Sequence, residues 1–258
     1  MLSFRNVNIT MIVLLLLLAA IDIWVAPLSF WWYLLPAFIY LNILFYGSYF
    51  IRAGFYFKSY CKADTPELQI ALTFDDGPME SFTPQVLAIL KEYGIPATFF
   101  CIGKRIQGRE QLLQELHRAG HTIGNHSYSH HALFDLFSAG KMQRELEETG
   151  DLIKEQVGKR PLLFRPPYGV TNPNLKKAIR KAGYQSIGWS VRSYDTIAKD
   201  ADQLLEKVSK KVQPGDIFLF HDTMEVTVQL LPMFIKRMKE KGFSFVSVDQ
   251  LLKIPAYA

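Results

Sequence analysis

Acids, histidines and an arginine follow directly after several apolar runs of this 258-residue chain. Asp75 and Asp76 are adjacent, and His126 and His130 are four residues apart. Two adjacent carboxylates point in different directions, so one can bind a cation while the other stays free to accept a proton. One carboxylate with two imidazoles is a common ligand set for a catalytic divalent metal and leaves positions open for water and substrate. The spacing therefore predicts a metal-dependent hydrolase.

Two further polar residues, Arg165 and His221, also stand at the ends of apolar runs. Each stretch alone has an ordinary structural explanation, because Asp-Asp-Gly-Pro is typical of a turn. His131, next to His130, shows that histidines also cluster without a function, and we interpret His121 as a core histidine. The joint pattern favours a single site, since four separate elements each carry acid, base or ligand chemistry at one end.

The elements that must position these residues alternate along the chain from about residue 66. Helical stretches separate short apolar runs, and several of the helical stretches end at a glycine before the next run. About seven such units predict an α/β barrel or a variant of one, in which chemistry lies at the carboxyl ends of the strands. The predicted strands are 68–74, 97–102, 121–124, 162–165, 184–189, 216–220 and 243–246, and the predicted helices are 83–93, 109–119, 139–157, 174–182, 202–212 and 230–241.

The first fifty residues contain two apolar segments, at about 9–26 and 30–51. Each approaches the roughly 20 residues that a membrane helix needs, and the aromatic residues around Pro27 are typical of a membrane interface. We predict a transmembrane helical hairpin, so that residues 1–62 form a multi-pass membrane anchor. A cleaved signal peptide is the alternative, because Arg5 before a leucine run is typical of one.

The side of the membrane on which the domain lies depends on how this segment is used. Basic residues flank the two apolar segments and do not occur in the loop between them. The positive-inside rule therefore favours the cytoplasm for both ends and for the catalytic domain. If the first segment is removed, or the second lies in the interface, the domain lies outside.

Composition excludes two classes of protein. The chain carries 29 basic and 24 acidic residues without a clustered basic face, so we exclude nucleic acid as a partner. Only two cysteines occur, Cys61 and Cys101, and the second lies inside an apolar run. This pattern predicts a buried thiol and excludes a disulfide framework.

The stretches 73–78, 126–130, 165–168 and 219–221 resemble, in this order, the polysaccharide deacetylase family, also called the NodB-homology or carbohydrate esterase family 4 domain. The resemblance covers about residues 66–255, which would form the catalytic domain. It implies a distorted (β/α) barrel and a single divalent metal ion, usually zinc and sometimes cobalt or nickel.

The matched motifs also imply roles for individual residues at the metal. By this resemblance, the general base would be Asp75, and Arg165 would hold it in place. The metal ligands would be Asp76, His126 and His130.

The remaining motifs imply the groups that act on the substrate. His221 would be the general acid, kept protonated by Asp195. The backbone amide at Tyr168 would stabilise the oxyanion, and Leu219 would line the pocket for the acetyl methyl group.

One motif departs from the family pattern. Where the family often shows Asp-x-x-Asp-Trp, this chain has arginine at 192, Asp195 in the place of the second acid, and threonine at 196. The acidic partner of the implied catalytic histidine is therefore retained as Asp195, whereas Arg192 and Thr196 change one wall of the sugar groove.

The resemblance implies a hydrolase of non-peptide carbon–nitrogen bonds that removes N-acetyl groups from an amino-sugar glycan or a lipid-linked sugar. Water activated by the metal would attack the acetamide, with Asp75 as base and His221 as acid. Two alternatives on the same scaffold are another carbon–nitrogen hydrolase, such as a cyclic amidase, and an esterase that removes O-acetyl groups from sugars. A more distant alternative is an inactive membrane-anchored glycan-binding module.

Overall fold

A computed structural model describes residues 2–258 of the chain. Short helices and strands alternate after an N-terminal pair of long helices. The helices are α1 (Phe4–Trp24), α2 (Trp31–Tyr49), α3 (Thr83–Tyr93), α4 (Gly103–Ile106), α5 (Glu110–Arg118), α6 (Ala139–Val157), α7 (Pro173–Ala182), α8 (Ala201–Ser209), α9 (Glu225–Glu240) and α10 (Val248–Leu252). The strands are β1 (Gln69–Asp75), β2 (Thr98–Cys101), β3 (Thr122–Asn125), β4 (Leu163–Phe164), β5 (Gln185–Ser186), β6 (Val191–Arg192), β7 (Ile217–His221) and β8 (Ser244–Phe245).

The strands form one parallel sheet in the order β5-β4-β3-β2-β1-β7-β6, and β8 pairs with β1 beside this path. The curved sheet confirms the predicted distorted (β/α) barrel. The segment that joins α2 to β1 runs between the chain that follows β5 and the chain that precedes β7. Tyr60 forms a bridge to Ile187 beside β5, and Lys62 forms a bridge to Asp216 before β7. This segment therefore connects the two sides of the sheet.

Helices cover the outer face of the sheet because their apolar side chains recur with helical spacing. Phe74, Phe99, Phe218 and Phe220 from the central strands pack with Phe234 of α9 in the main core. The glycine stops that the sequence predicts are present where α3 and α7 end, at Gly94 and Gly183 with φ of 65° and 75°. Glycine adopts this left-handed conformation without the steric cost of a Cβ.

Several elements differ from the sequence prediction. Helix α9 begins five residues before the predicted start, and β6, α4 and α10 have no counterpart among the predicted elements. The predicted strand at 184–189 pairs as a strand only at Gln185–Ser186. Beyond Ser186 the chain pairs with the segment before β1 instead, since Ile187 forms a bridge to Tyr60. A Cβ on Gly188 would lie 2.4 Å from the Cys61 sulfur, so segment 60–62 packs directly against this backbone. Cys101 is a buried free thiol, as predicted, and Cys61 is buried and free as well.

The two N-terminal apolar segments are helices, and each differs by a few residues from its predicted bounds. Helix α1 begins at Phe4 because the Ser3 hydroxyl accepts the backbone N–H of Asn6 and caps the first turn. Of the helices in residues 2–258, α1 is the one long and apolar enough to cross a membrane, with a mean hydropathy of 2.3. A signal sequence meets the same criterion, and a two-span anchor is not supported.

The end of α2 is joined to the loop that follows β4. The backbone N–H of Thr171 donates to the carbonyl of Ser48 at 3.0 Å, and its hydroxyl donates to the carbonyl of Gly47 at 3.1 Å. Carbonyls in the last turn of a helix have no intrahelical donor. Thr171, which is buried, therefore caps α2 from the catalytic domain.

Candidate active site

The predicted site residues meet at one cavity of about 190 Å³ at the carboxyl ends of β1, β3 and β7. Arg165 and Asp195 lie behind its wall and contact residues that line it. Trp189, Arg192 and Thr196 also line the cavity. The predicted residues on its surface are Asp75, Asp76, His126, His130, Tyr168, Leu219 and His221.

Asp76, His126 and His130 form a cluster that could hold a metal ion, with all ligand atoms within 4.8 Å of one another. Asp76 Oδ1 lies 3.5 Å from Nε2 of each histidine, which is too long for a hydrogen bond. With metal–ligand bonds of about 2.0–2.1 Å, tetrahedral ligand atoms lie about 3.3–3.4 Å apart. Asp76 Oδ1 is also buried and has no hydrogen-bond partner within residues 2–258. The three side chains therefore fit a divalent metal.

The loops around this cluster hold the ligands in uncommon backbone conformations. Asp76 and His130 have φ of 74° and 47°, which is the left-handed region. Arg105 donates to the backbone carbonyl of Asp76 at 2.6 Å, and Glu145 accepts the backbone N–H of Ser129 at 2.7 Å. These contacts stabilise a conformation that directs both side chains to one point.

The orientation of His126 identifies which ring nitrogen can bind a metal. Its Nδ1 lies 2.8 Å from the carbonyl oxygen of Arg165, and this oxygen can only accept. Nδ1 therefore carries the proton, and the lone pair of Nε2 faces Asp76. The sequence motif includes His126, but nothing in it indicates this contact with Arg165, directly after β4.

Electrostatics keep the cluster in a metal-binding protonation state. Burial, together with the charge of His126, lowers the pKa of His130 to about 4. For Asp76, burial raises the pKa, but the positive charges of neighbouring groups, among them His221 and Arg105, outweigh burial and lower the pKa overall. At neutral pH His130 is therefore neutral and Asp76 ionised, as a metal requires of its ligands.

Asp75 is held by a fully buried arginine. Arg165 Nη1 donates to Asp75 Oδ1 at 2.8 Å and to the Thr73 hydroxyl at 2.6 Å. The other guanidinium donors bind the carbonyls of Ile187 and Gly188. Burial lowers the pKa of Arg165, and the charge of Asp75 counteracts this shift. One oxygen of Asp75 is thus fixed, while Oδ2 lies 3.7 Å from His126 Nε2 beside the metal cluster.

His221 forms a second ion pair at the cavity, on the strand next to Asp75. Its Nδ1 lies 2.7 Å from Asp195 Oδ1. Asp195 Oδ2 accepts the backbone N–H of His221 and the hydroxyl of Thr227, both at 2.7 Å. Burial alone would lower the pKa of His221, but the hydrogen bond and charge of Asp195, followed by the charges of Asp75 and Asp76, raise it to about 9. His221 is therefore protonated at neutral pH.

Tyr168 and Leu219 complete the cavity. Tyr168 lies in the turn Pro167–Gly169 with φ of 58°, and its ring packs edge-on against His130 at 4.7 Å. In the described part of the chain its backbone N–H has no hydrogen-bond acceptor. Leu219 lies in β7 in register with Thr73 and Arg192, and its side chain is nearly buried.

Several contributing residues have no signal in the sequence. Thr73, Trp189 and Thr227 contact the site only because strands or helices distant in sequence meet there. Asp222 is different, because the residue that it packs against, Gly77, belongs to the Asp-Asp-Gly-Pro string. A Cβ on Gly77 would lie 2.2 Å from Asp222 Oδ2, so the buried carboxylate requires a glycine next to Asp76.

The histidines without a predicted role in the site, His121 and His131, do not line the cavity. His121 is buried, and its Nδ1 accepts the backbone N–H of Ala97 at 3.1 Å, as a core histidine does. His131 Nδ1 accepts the backbone N–H of Leu133 at 3.0 Å. Neither contributes to the metal cluster.

Comparison with known proteins identifies the family. A sequence model described as polysaccharide deacetylase matches residues 62–187. A peptidoglycan-N-acetylglucosamine deacetylase of Bacillus cereus is 38% identical over 192 residues, which cover 71% of this chain and 88% of the relative. The chain belongs to the polysaccharide deacetylase family.

Two further similarities support this membership. The peptidoglycan-N-acetylmuramic acid deacetylase PdaA of Bacillus subtilis is 32% identical over 200 residues and is matched over 76% of each chain. The crystal structure of the Bc1960 peptidoglycan N-acetylglucosamine deacetylase aligns with a TM-score of 0.73 at 28% identity, covering 78% of this deacetylase and 95% of that chain. The protein is thus a glycan deacetylase, a hydrolase that acts on carbon–nitrogen bonds.

Proposed function

We propose that the enzyme removes N-acetyl groups from an amino-sugar glycan, with Asp75 as general base and His221 as general acid. The observation that carries this proposal is that two paired groups, Asp75 with Arg165 and His221 with Asp195, meet at one cavity. Asp75 is held by the Arg165 guanidinium, whereas His221 carries a proton because Asp195 raises its pKa to about 9. A base and an acid at one cavity, beside side chains that could hold a metal, suit hydrolysis of an amide.

The chain's own groups supply the proton transfers. Asp75 Oδ2 faces the cluster and accepts the proton of the attacking water, while Arg165 holds Oδ1. The backbone N–H of Tyr168 has no partner within the described residues and donates to the oxygen of the attacked carbonyl. Leu219 contacts the acetyl methyl group. His221 then donates its proton to the nitrogen of the leaving amine, which leaves poorly without one.

A divalent metal is part of this proposal, and the ligands Asp76, His126 and His130 would hold it. When bound, such an ion lowers the pKa of water and polarises a carbonyl. Two imidazoles and one carboxylate favour zinc, with cobalt and nickel as alternatives.

The relatives indicate the substrate class. Their names describe deacetylases of peptidoglycan N-acetylglucosamine and N-acetylmuramic acid. We propose an N-acetylated glycan of this kind, or a lipid-linked sugar, as the substrate here. A cyclic amidase, a sugar O-acetyl esterase and an inactive glycan-binding module are the alternatives that the experiment must separate.

The test is acetate release by the full chain from N-acetylglucosamine tetramers and from an O-acetylated sugar, with zinc added. We expect release from the N-acetylated substrate, and none from Asp75→Asn even though this variant still binds zinc. Asp64→Asn makes the same charge change on an exposed side chain and should keep full activity. Normal turnover by Asp75→Asn would exclude Asp75 as the base. Release from the O-acetylated sugar alone would favour the esterase.

We further propose that the N-terminal helices attach the enzyme to a membrane. Apolar side chains of α1 such as Leu16 and Ile23 are exposed in the folded chain, and water disfavours a continuous surface of this kind. With one crossing by α1, Arg5 lies on one side of the membrane and Arg52 on the other, so the positive-inside rule favours neither side. A peptidoglycan substrate requires the outer side. Resistance to extraction from membranes by carbonate tests the attachment, and digestion by protease added to intact cells tests the side.

A further inference from the structure

Arg192 stands on the wall of the catalytic cavity at the end of edge strand β6. It is in register with Leu219 of β7, and both residues line the cavity. The next turn of the chain carries Asp195, which orients His221. The guanidinium of Arg192 is thus placed by the same segment that positions the proposed catalytic acid.

Aromatic rings hold this guanidinium in place. Its central carbon lies 5.7 Å from the ring of Trp189 and 5.0 Å from the ring of Tyr194. The ammonium nitrogen of Lys207 also lies over the Tyr194 ring, 4.2 Å from its centre. Cation–π contacts of this kind orient a guanidinium without using its N–H donors.

The charge of Arg192 is unpaired within residues 2–258. No carboxylate lies within 4.0 Å of it, and its side chain donates no hydrogen bond to another described residue. Arg165, by contrast, uses its donors on four protein acceptors. Arg192 is also exposed, so its fork of N–H donors is available to a molecule in the cavity.

We propose that Arg192 binds an acidic substituent, a carboxylate or a phosphate, on the sugar that carries the acetamide. The inference rests on the proposed function and names the substrate class for it. A guanidinium matches both groups by paired N–H···O bonds. It also offsets the negative charge of Asp75 and Asp76, which would otherwise repel an acidic sugar from the cavity.

Two kinds of sugar place such a group next to the acetamide. N-acetylmuramic acid carries a lactyl carboxylate on the ring carbon beside the acetamide carbon, and N-acetylglucosamine 1-phosphate carries a phosphate on the other neighbouring carbon. The similarity to a peptidoglycan-N-acetylmuramic acid deacetylase agrees with the first kind. Both present the same chemistry to Arg192.

The experiment compares acidic and neutral substrates in matched pairs with the full, zinc-loaded chain. The first pair is a peptide-free glycan that contains N-acetylmuramic acid and an N-acetylglucosamine oligomer of equal length. The second pair is N-acetylglucosamine 1-phosphate and its 1-O-methyl analogue. We expect wild type to favour the acidic member in at least one pair. Arg192→Ala should lower that preference in kcat/KM by about tenfold or more, mainly through KM.

Two further variants separate binding from a structural role. Arg192→Lys keeps the charge but not the paired geometry, so it should retain part of the preference. Lys207→Ala removes the other cation on the Tyr194 ring without touching the cavity, and it should change the preference by less than about twofold.

Each outcome has a defined meaning. A preference in the first pair identifies a carboxylate, and a preference in the second identifies a phosphate. Acetate release without preference for either acidic substrate, or an equal loss on both members of a pair in Arg192→Ala, would overturn the inference and leave the proposed function standing. No release from any substrate by the zinc-loaded wild type would instead contradict the proposed function.

Discussion

The pair of Asp195 and His221 makes a quantitative prediction for the alkaline side of the pH profile. The pKa of His221 is raised from its ordinary 6.5 to about 9, which corresponds to about 3 kcal/mol in favour of the imidazolium. The hydrogen bond and charge of Asp195 are the largest raising contributions. A metal ion at Asp76 would offset the carboxylate charges nearby but would leave this hydrogen bond in place.

Asp195→Asn removes the negative charge and replaces one acceptor by an N–H donor. The amide NH2 cannot accept a hydrogen bond, so it faces either His221 Nδ1, which can accept only when the imidazole is neutral, or the backbone N–H of His221, which then loses its acceptor. A hydrogen bond to a charged group contributes about 1.5–3 kcal/mol, which is about 1–2 pKa units. Because the proposed acid, His221, must carry a proton to act, a lower pKa means that activity is lost at a lower pH.

The measurement is kcat/KM between about pH 6 and pH 10, with zinc held saturating. We expect the alkaline limb of Asp195→Asn to move down by about 1–2 pH units. Thr227→Val is the control, because it removes one donor to Asp195 and leaves the contact with Nδ1 intact. The alkaline limb of Thr227→Val should stay at the same pH or move to a slightly higher pH, because Asp195 then accepts one hydrogen bond fewer and keeps its bond to Nδ1. An unmoved limb in Asp195→Asn would refute the assignment of His221 as the acid.

Three further predictions concern the support of the site. Gly77→Ala should lower Tm and zinc affinity together, because its Cβ would lie 2.2 Å from a carboxylate oxygen, whereas Gly140→Ala has no atom closer than 4.0 Å and should leave both unchanged. Arg165→Lys should lower the free energy of unfolding in urea by about 2–4 kcal/mol, because a lysine cannot serve all four buried acceptors; a loss below about 1 kcal/mol would contradict this. His126→Ala should lose zinc binding in calorimetric titration, while Asp75→Asn should keep it.

Much of the fold could be predicted because apolar runs, helical spacing and glycine stops agree along this chain. The sequence predicted the observed bounds of α3 and α6, and it predicted β1 to within one residue at each end. Edge strand β6 was missed because it contains two residues and depends on pairing with β7. Such pairing is tertiary, and no local periodicity reveals it.

The candidate site could likewise be predicted only in part. Residues carried by local motifs, such as Asp75 and His126, could be named because their chemistry and spacing are visible in the sequence. Thr227, Trp189 and the Thr73 hydroxyl could not, since each acts through a neighbour that is distant in sequence. The orientation of the ligands depends on such contacts, so residue types could be predicted while geometry could not.

The capping of α2 by Thr171 and the packing of residues 51–63 against the barrel limit where the chain can be cut. Similarity to the family begins at residue 62, yet Ile51, Phe55 and Cys61 are buried and segment 60–62 bridges the two sides of the sheet. A fragment that begins at residue 63 would expose this apolar surface and leave Thr171 without its acceptors. Loss of α1 would remove the contacts of Phe4 with Phe55 but would leave the Thr171 cap and the bridges of segment 60–62 in place. The shortest fragment that keeps the cap and the bridges therefore begins inside α2. The N-terminal region is therefore part of the enzyme's architecture, and α2 serves as a structural element of the catalytic fold.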